Sequence, residues 1–484
     1  FLFVCIVQKK KNNMASNSTS ADVNSLIEKW KPSLPFSRDL TDQNENQRVL
    51  DLATQILNSG LPIQDFKDAS YGVDGKDAAS PVLVSAIQSA ESKLKMKECG
   101  SFHMACVFAM YMEQNRIQTK DVHKNGQDFI RMKHKQLAWL FDGAEGQTWE
   151  MMAVDDGCPN DSKSLARAIV EKEGYKNVRV LDLEDQVKAQ TPFFIDRGLK
   201  AGCKDSRKGG AILYGLKTAA EEGAAADPAG PTRLVMYTDS DLSSDMSLCG
   251  YLAHGVMVEG GGMSMGARYG EEGTFLVKPP THGASGHPIS HYEQPNMMKI
   301  VFRQYVRSRL LPMLEGIKDT QCAFKCFRAG GAKEGSVGGN LMQVLNEVRS
   351  MQADFDMELL LCVLGYLRKV KAGDGGDSVK KLCVVIPTLF TEDFAESNFM
   401  GGADSDADKP FKTYNQMNKA LIGMHERHVP EGSEERKKVA DLVEYLKNLE
   451  WERYKEIILT LEKNLGHTLF DFDLKLPDES LLKH

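Results

Sequence analysis

The stretch Leu234-Val-Met-Tyr-Thr-Asp-Ser-Asp241 constrains the chain more than any other. Four largely apolar residues run into Thr238 and then into two acids one residue apart. Such a run reads as a strand buried on both faces, the habit of parallel sheets. In open α/β sheets, ligands sit just beyond the carboxyl ends of the strands. Two hard carboxylate ligands there suit Mg²⁺ or Mn²⁺, which one or two carboxylates hold and substrate phosphates complete. The stretch therefore points to a metal–diphosphate site; the plain alternative is a solvated turn after a strand.

The flanking sequence supplies the rest of such a sheet. Phe102 to Tyr111 is a near-continuous apolar run ending in the polar turn Met112-Glu-Gln-Asn-Arg116. Asp128 to Phe141 reads as a helix, Thr148 to Val154 as a strand ending in Asp155-Asp-Gly157, Ser162 to Glu173 as a helix, and Val178 to Leu181 as a strand. Lys208-Gly-Gly-Ala211 opens a further helix before Leu234. Strands alternating with helices predict a doubly wound, mostly parallel α/β sheet with flanking helices. A short strand between Gly262 and Gly266, helices over Met297–Leu314 and Asp354–Leu367, and a strand over Leu382–Pro387 follow. Thr274 to Pro295 reads as an irregular loop carrying His282, His287 and His291, an acceptor lid or a plain polar loop.

The ends add helical segments. Val23–Trp30, Asn44–Asn58 (closed by Gly60) and Val82–Met96 read as helices, the last two packed against the outside of the main domain. Tyr414 to Leu465 reads as helical, with Leu442, Tyr445, Leu446, Leu449, Tyr454, Ile457, Ile458 and Leu461 forming a packing stripe. The expected divisions are 1–13 as leader, 14–98 as an N-terminal extension, 99–400 as the sheet domain, 401–412 as a solvated linker and 413–484 as a C-terminal extension. Met14 reads as the natural start.

Composition excludes several classes. A formal net charge of −7 argues against a nucleic-acid binder. Ten cysteines over 484 residues, mostly in apolar contexts, read as reduced thiols of a cytoplasmic protein. No run reaches the roughly 18 apolar residues of a transmembrane segment. The oligomeric state, a homodimer included, is left open.

Three polar clusters fall at strand carboxyl ends: Glu113 with Gln114, Asp155 with Asp156, and Asp239 with Asp241. In a parallel sheet those ends share one edge, so the clusters converge on one ligand site.

The motifs also resemble a known family. Val154-Asp-Asp-Gly-Cys-Pro-Asn-Asp161 is similar to the nucleotide-binding turn of glycosyltransferase family 2, Lys208-Gly-Gly-Ala211 to its Gly-rich helix start, and Thr238-Asp-Ser-Asp241 to its metal-binding Asp-x-Asp. Asp319-Thr-Gln-Cys-Ala-Phe-Lys325 and Phe355-Asp-Met-Glu-Leu-Leu360, extended by Pro387 and Glu392-Asp393, look most like the dolichyl-phosphate glucosyltransferase and mannosyltransferase branch. Cys158 stands where that turn usually has serine, and Cys322-Ala323 where Cys-Gly is usual.

The resemblance implies a GT-A fold over about residues 100 to 400 and an enzyme moving a sugar from a UDP- or GDP-sugar to a hydroxyl acceptor, inverting by single displacement. It implies that Tyr111, Glu113, Asp155 and Asp156 bind or support base and ribose, and that Lys208 meets the diphosphate at a helix start. Asp241 is the implied ligand of Mn²⁺ or Mg²⁺, with Asp239 near ribose or metal. Arg268 is a second diphosphate cation or a surface ion pair. Asp319 is the first candidate for the acceptor's proton, with Gln321 positioning sugar or acceptor; Asp356 and Glu358 rank behind it, their helix favouring structural pairing with Lys325 or Arg328. The dolichyl branch generally carries membrane segments, and their absence favours a small soluble acceptor. The rivals are a dolichyl-phosphate enzyme recruited to membranes by the basic Met297–Leu314 helix, a catalytically inactive nucleotide-sugar binder, and a nucleotidyltransferase.

Overall fold

The computed structural model describes residues 17–35, 37–70, 80–206, 208–225, 230–270, 273–274, 276–277, 280–282, 288–290, 305–330, 341–352, 354–371, 382–393 and 409–465. The chain divides into two compact units. One holds the described residues of Leu2–Pro279 and Asp319–Asp393, the other those of Pro280–Lys318 and Phe394–His484. The expected leader and the 401–408 part of the linker lie outside the described residues.

The first unit is built on a seven-stranded sheet. Its strands are β1 (Phe102–Met110), β2 (Gln147–Asp155), β3 (Val178–Asp182), β4 (Thr232–Thr238), β5 (Met263–Ala267), β6 (Lys325–Gly330) and β7 (Cys383–Pro387). The spatial order is β7-β5-β6-β4-β1-β2-β3. All neighbours are parallel except β6, which runs antiparallel to both β4 and β5. The mostly parallel α/β architecture expected from the alternation is therefore observed. Every residue of β1 except His103 is buried, which is why its sequence is an apolar run with no alternation.

The antiparallel β6 is not legible as a strand, because charged residues stand where a central strand should be apolar. Lys325 is fully buried, and its Nζ donates to the Cys322 carbonyl (2.6 Å) and to Asp356 Oδ1 (3.2 Å). Local partners thus neutralise a side chain that would otherwise forbid the position.

The unit's helices include α1 (Asn17–Trp30), α2 (Gln43–Ser59) and α3 (Ile63–Ser70), which pack on one another and on α4 (Pro81–Lys97), followed by α5 (Phe129–Phe141), α6 (Ser162–Glu173), α7 (Gly209–Ala225), α8 (Cys249–Met257), α9 (Leu341–Glu347) and α10 (Phe355–Lys371). Asp42 caps α2 by accepting from the Asn44 and Glu45 N–H groups, and Gly60 closes it at φ 67°. Such a cap contributes about 1 kcal/mol. The helix α4 is not an outer decoration. It is buried from Pro81 through Ala90, where Ser85, Ala86, Ser89 and Ala90 are small enough for close packing. Ser89 Oγ meets Ser247 Oγ at 2.6 Å, and Gln88 Oε1 accepts from the Leu389 N–H at 2.8 Å.

In the second unit, α11 (Lys409–His428), a short helix at Glu434–Lys438, α12 (Ala440–Asn448) and α13 (Trp451–Leu465) replace the single helical run expected over Tyr414–Leu465. The sequence turns at Pro430-Glu-Gly432, where Gly432 has φ 76°, and again at Leu449. Leu446, Leu449, Tyr454 and Ile457 of the expected stripe are buried. The described part of the expected Met297–Leu314 helix is broken. Leu311 leaves helical geometry before Pro312, as a residue preceding proline tends to. The Thr274–Pro295 stretch is not wholly irregular: Pro280–His282 pairs antiparallel with Pro288–Ser290. His287 and His291 lie outside the described residues.

Candidate functional site

The strand registers bring the expected clusters to one edge. Met110 pairs with Asp155 and Phe108 with Thr238, so the turns after β1, β2 and β4 leave the sheet side by side. Lys325 pairs with Tyr237 and with Met265, so the turn entering β6 joins the same edge.

Asp155 and Asp156 end β2. The Asp155 carboxylate accepts from the Cys158 N–H (3.0 Å) through Oδ2, while its Oδ1 is buried with no hydrogen-bond partner among the described residues. Burial raises its pKa, and the nearby Asp182 adds to the shift. A buried, unmet carboxylate oxygen is costly unless a ligand hydroxyl or amide reaches it. Asp156 works on the neighbouring turn. Its Oδ2 accepts from the Lys208 N–H at 2.6 Å and its Oδ1 from the Ser206 hydroxyl. Burial pushes its carboxyl up to about 7 despite those donors. Lys208 stands at φ 81°, a strained value for a residue with a Cβ. Asp156 therefore holds the backbone turn that presents Lys208 at the start of α7.

Gly157, at φ 69°, makes the β2 turn possible. A Cβ there would lie 2.5 Å from Cys203 Cβ. Gly157→Ala is expected to lower unfolding free energy by about 1–3 kcal/mol. The denaturant midpoint measures this, and an unchanged midpoint would show that the turn yields.

The two acids after β4 carry different partners. Asp239 is ion-paired with Lys208 Nζ. Burial would raise its carboxyl, but the Lys208 ammonium, assisted by Arg268 and Lys133, holds it below the usual range. Asp241 Oδ2 accepts from Arg116 Nη1 at 2.8 Å, and its Oδ1 from the Ser243 N–H at 3.1 Å. Arg116 also forks onto Glu113, with Nε–Oε2 2.7 Å and Nη2–Oε1 2.6 Å. Ser240 donates to Glu113 Oε1 at 2.8 Å. Glu113 is thus brought to the Asp-x-Asp turn, though through Arg116 and Ser240. Tyr111 lies at the end of β1, exposed.

Arg268 donates to Asp319 with three groups: its N–H (3.0 Å) and Nε (2.8 Å) to Oδ2, and Nη2 to Oδ1 (2.8 Å). Asp319 is fully buried, so accepting a proton from an acceptor would require that pair to open. The guanidinium also lies over the Phe390 ring, 5.2 Å from its centroid. Gln321 is half-buried in the turn entering β6. Asp356 pairs with Lys325, as its helix position suggested, and accepts from the Tyr237 hydroxyl. Glu358 instead accepts from the Arg349 (2.9 Å) and Ser350 (2.5 Å) N–H groups.

Three participants carry no local motif. Arg116 reads in sequence as one charge in a polar turn. Gln127 bridges the Leu242 N–H (2.9 Å) and Asp393 (2.6 Å). Lys133 of α5 is fully buried, its Nζ without a hydrogen-bond partner among the described residues and 5.8 Å from the Phe108 ring centroid. Burial pushes its ammonium pKa down, opposed chiefly by Asp241 and Asp239. The only sequence signal for Lys133 is a lysine on the apolar face of an amphipathic helix.

The donor set suits a divalent cation. Asp239 and Asp241 offer hard carboxylate oxygens, and each already faces a cationic group of the protein. Among the described residues, no group of three or more His, Cys, Asp or Glu side chains is arranged to hold a metal by itself. A Mg²⁺ or Mn²⁺ ion here would need oxygen ligands from a bound phosphate.

Fold and site together define an open α/β protein with a lysine- and carboxylate-bearing ligand edge. No family model matches the chain, and no curated protein matches it. Among solved structures, glucosyl-3-phosphoglycerate synthase of Mycobacterium tuberculosis aligns over 71% of this chain and 86% of its own, at 13% identity and a TM-score of 0.38. The same enzyme in complex with Mn²⁺, UDP-glucose and phosphoglyceric acid aligns over 71% and 85%, again at 13% identity and 0.38. No helix among the described residues is long and apolar enough to cross a membrane.

Proposed function

We propose that the chain is a metal-dependent glycosyltransferase that takes a UDP- or GDP-sugar and transfers the sugar to a hydroxyl acceptor with inversion. The observation that carries this reading is the juxtaposition of Lys208, at the start of α7, with Asp239 and the adjacent Asp241. A helix N-terminus with a lysine attracts phosphate oxygens, and an adjoining carboxylate suits the cation that accompanies them. In this reading the Asp155 Oδ1, unmet among the described residues, accepts from the base or ribose.

In this reading Asp241, with Asp239 beside it, holds Mn²⁺ or Mg²⁺, which supplies charge neutralisation on the departing nucleoside diphosphate. Asp156 fixes the Lys208 turn. Asp319 acts through Arg268, holding the guanidinium where it counters diphosphate charge. Tyr111 borders the nucleotide, and Gln321 positions sugar or acceptor.

The test is thermal unfolding with Mn²⁺ and a panel of UDP- and GDP-sugars. One donor is expected to raise the midpoint only when Mn²⁺ is present, by about 2.7 kcal/mol of stabilisation at one hundred times Kd. No shift from any nucleotide sugar would sink the proposal. Binding with no release of nucleoside diphosphate would identify an inactive binder, and released pyrophosphate a nucleotidyltransferase.

A further inference from the structure

We propose that Arg116 is the built-in counter-cation of this edge: it occupies Asp241 while no metal is bound and is displaced from Asp241, but not from Glu113, when a divalent cation binds. The inference rests on the metal–nucleotide reading above and adds a positioning residue to it.

One guanidinium collects carboxylates from three separate segments of the chain. Glu113 takes the fork, through Nε and Nη2. Nη1 is left for Asp241 Oδ2 at 2.8 Å, with Asp393 Oδ2 at 3.7 Å. The attachment is therefore unequal. Glu113 is held by two charge-assisted bonds and by the Ser240 hydroxyl, whereas Asp241 is held by Arg116 through one. A bidentate pair is the stronger of the two, so the Asp241 contact yields first.

Charge points the same way. The guanidinium lies against three carboxylates, Glu113, Asp241 and Asp393, and an incoming dication would compete with it for Asp241. Arg116 is 8% exposed, so bulk water screens the competition poorly. Burial works against the charged guanidinium, but Glu113, Asp241 and Asp393 outweigh it and keep it protonated. It is a permanent cation that the incoming metal must compete with.

The frame is built to stay in place while Nη1 changes partner. The Arg116 carbonyl accepts from the Gln127 N–H at 2.9 Å, and the Glu113 carbonyl from the Ile117 N–H at 2.9 Å. The Gln127 side chain ties Leu242 and Asp393 to the same loop. A guanidinium that served only as a structural tie would strengthen the metal site by ordering it; a counter-cation weakens metal binding.

The two roles predict opposite signs for one measurement. Mn²⁺ is titrated by calorimetry into protein saturated with UDP or GDP, whose phosphates complete the ion's ligands, for the wild type, Arg116→Gln and Arg116→Lys. Arg116→Gln is expected to bind Mn²⁺ about tenfold more tightly, the order expected when one cation leaves a partly buried site. Its metal-free melting midpoint should fall, and Mn²⁺ should raise that midpoint by more than in the wild type. Arg116→Lys keeps a charge but cannot span the carboxylates, and should fall between the two. Equal or weaker Mn²⁺ binding by folded Arg116→Gln would overturn the inference while leaving the metal site standing. If Arg116→Gln does not fold, Arg116→Lys decides by the same comparison. Failure of both to fold would overturn the inference, making the guanidinium a structural tie. A wild type that takes no Mn²⁺ with or without a nucleotide sugar would remove the metal reading and this inference together.

Discussion

Asp241→Ala is expected to abolish sugar transfer while leaving the fold intact. Asp241 sits in a turn past the end of β4, so its loss removes the proposed metal ligand and little core volume. Arg116 keeps its fork on Glu113, and the buried Lys133, which Asp241 and Asp239 both support, keeps Asp239. Loss of a metal ligand at a site where leaving-group charge develops should lower kcat by on the order of 10³-fold or more. Unfolding free energy should stay within about 1 kcal/mol of the wild type, as for a substitution outside the core. Transfer assays with the donor found by thermal shift, run beside denaturant unfolding, measure both. Turnover near the wild-type rate would remove Asp241 from the metal assignment.

Asp356→Ala should have the opposite profile, a large stability loss. Asp356 is buried at the start of α10, where it accepts from the Tyr237 hydroxyl and pairs with Lys325. Lys325 has no exposed surface at all. Removing one partner of a buried pair leaves the other charge uncompensated, at a cost of about 3–5 kcal/mol. The Cys322 carbonyl remains as an acceptor, but a carbonyl does not neutralise an ammonium. Equilibrium unfolding in denaturant reads this directly, and Asp356→Asn, which keeps an acceptor for both donors, should recover part of the loss. A midpoint unchanged in Asp356→Ala would show that Lys325 is compensated elsewhere.

These cases mark how far the sequence could be read. Strand ends were legible to within one residue because burial on both faces is written locally: the apolar runs read as ending at Tyr111, Val154 and Tyr237 end at Met110, Asp155 and Thr238. Helix α6 was legible to the residue for a similar reason, with Gly174 at φ 66° closing it. The strand β6 was not, because Lys325 and Arg328 break the apolar pattern and only the packed interior supplies the partners that make Lys325 tolerable there.

The candidate site divides along the same line. The sequence by itself determined which acids stand at the strand ends, and parallel topology alone puts them on one edge. What those acids do depends on cations that arrive from far along the chain. Arg116 reaches Asp241 across 125 positions, Lys208 reaches Asp239 across 31, and Arg268 takes both oxygens of Asp319 across 51. No local pattern encodes such partners, because an ion pair is chosen by proximity in three dimensions. The acids were therefore legible in the sequence; their pairing, and with it the difference between a carboxylate open to a ligand and one already occupied, was decided by the tertiary structure.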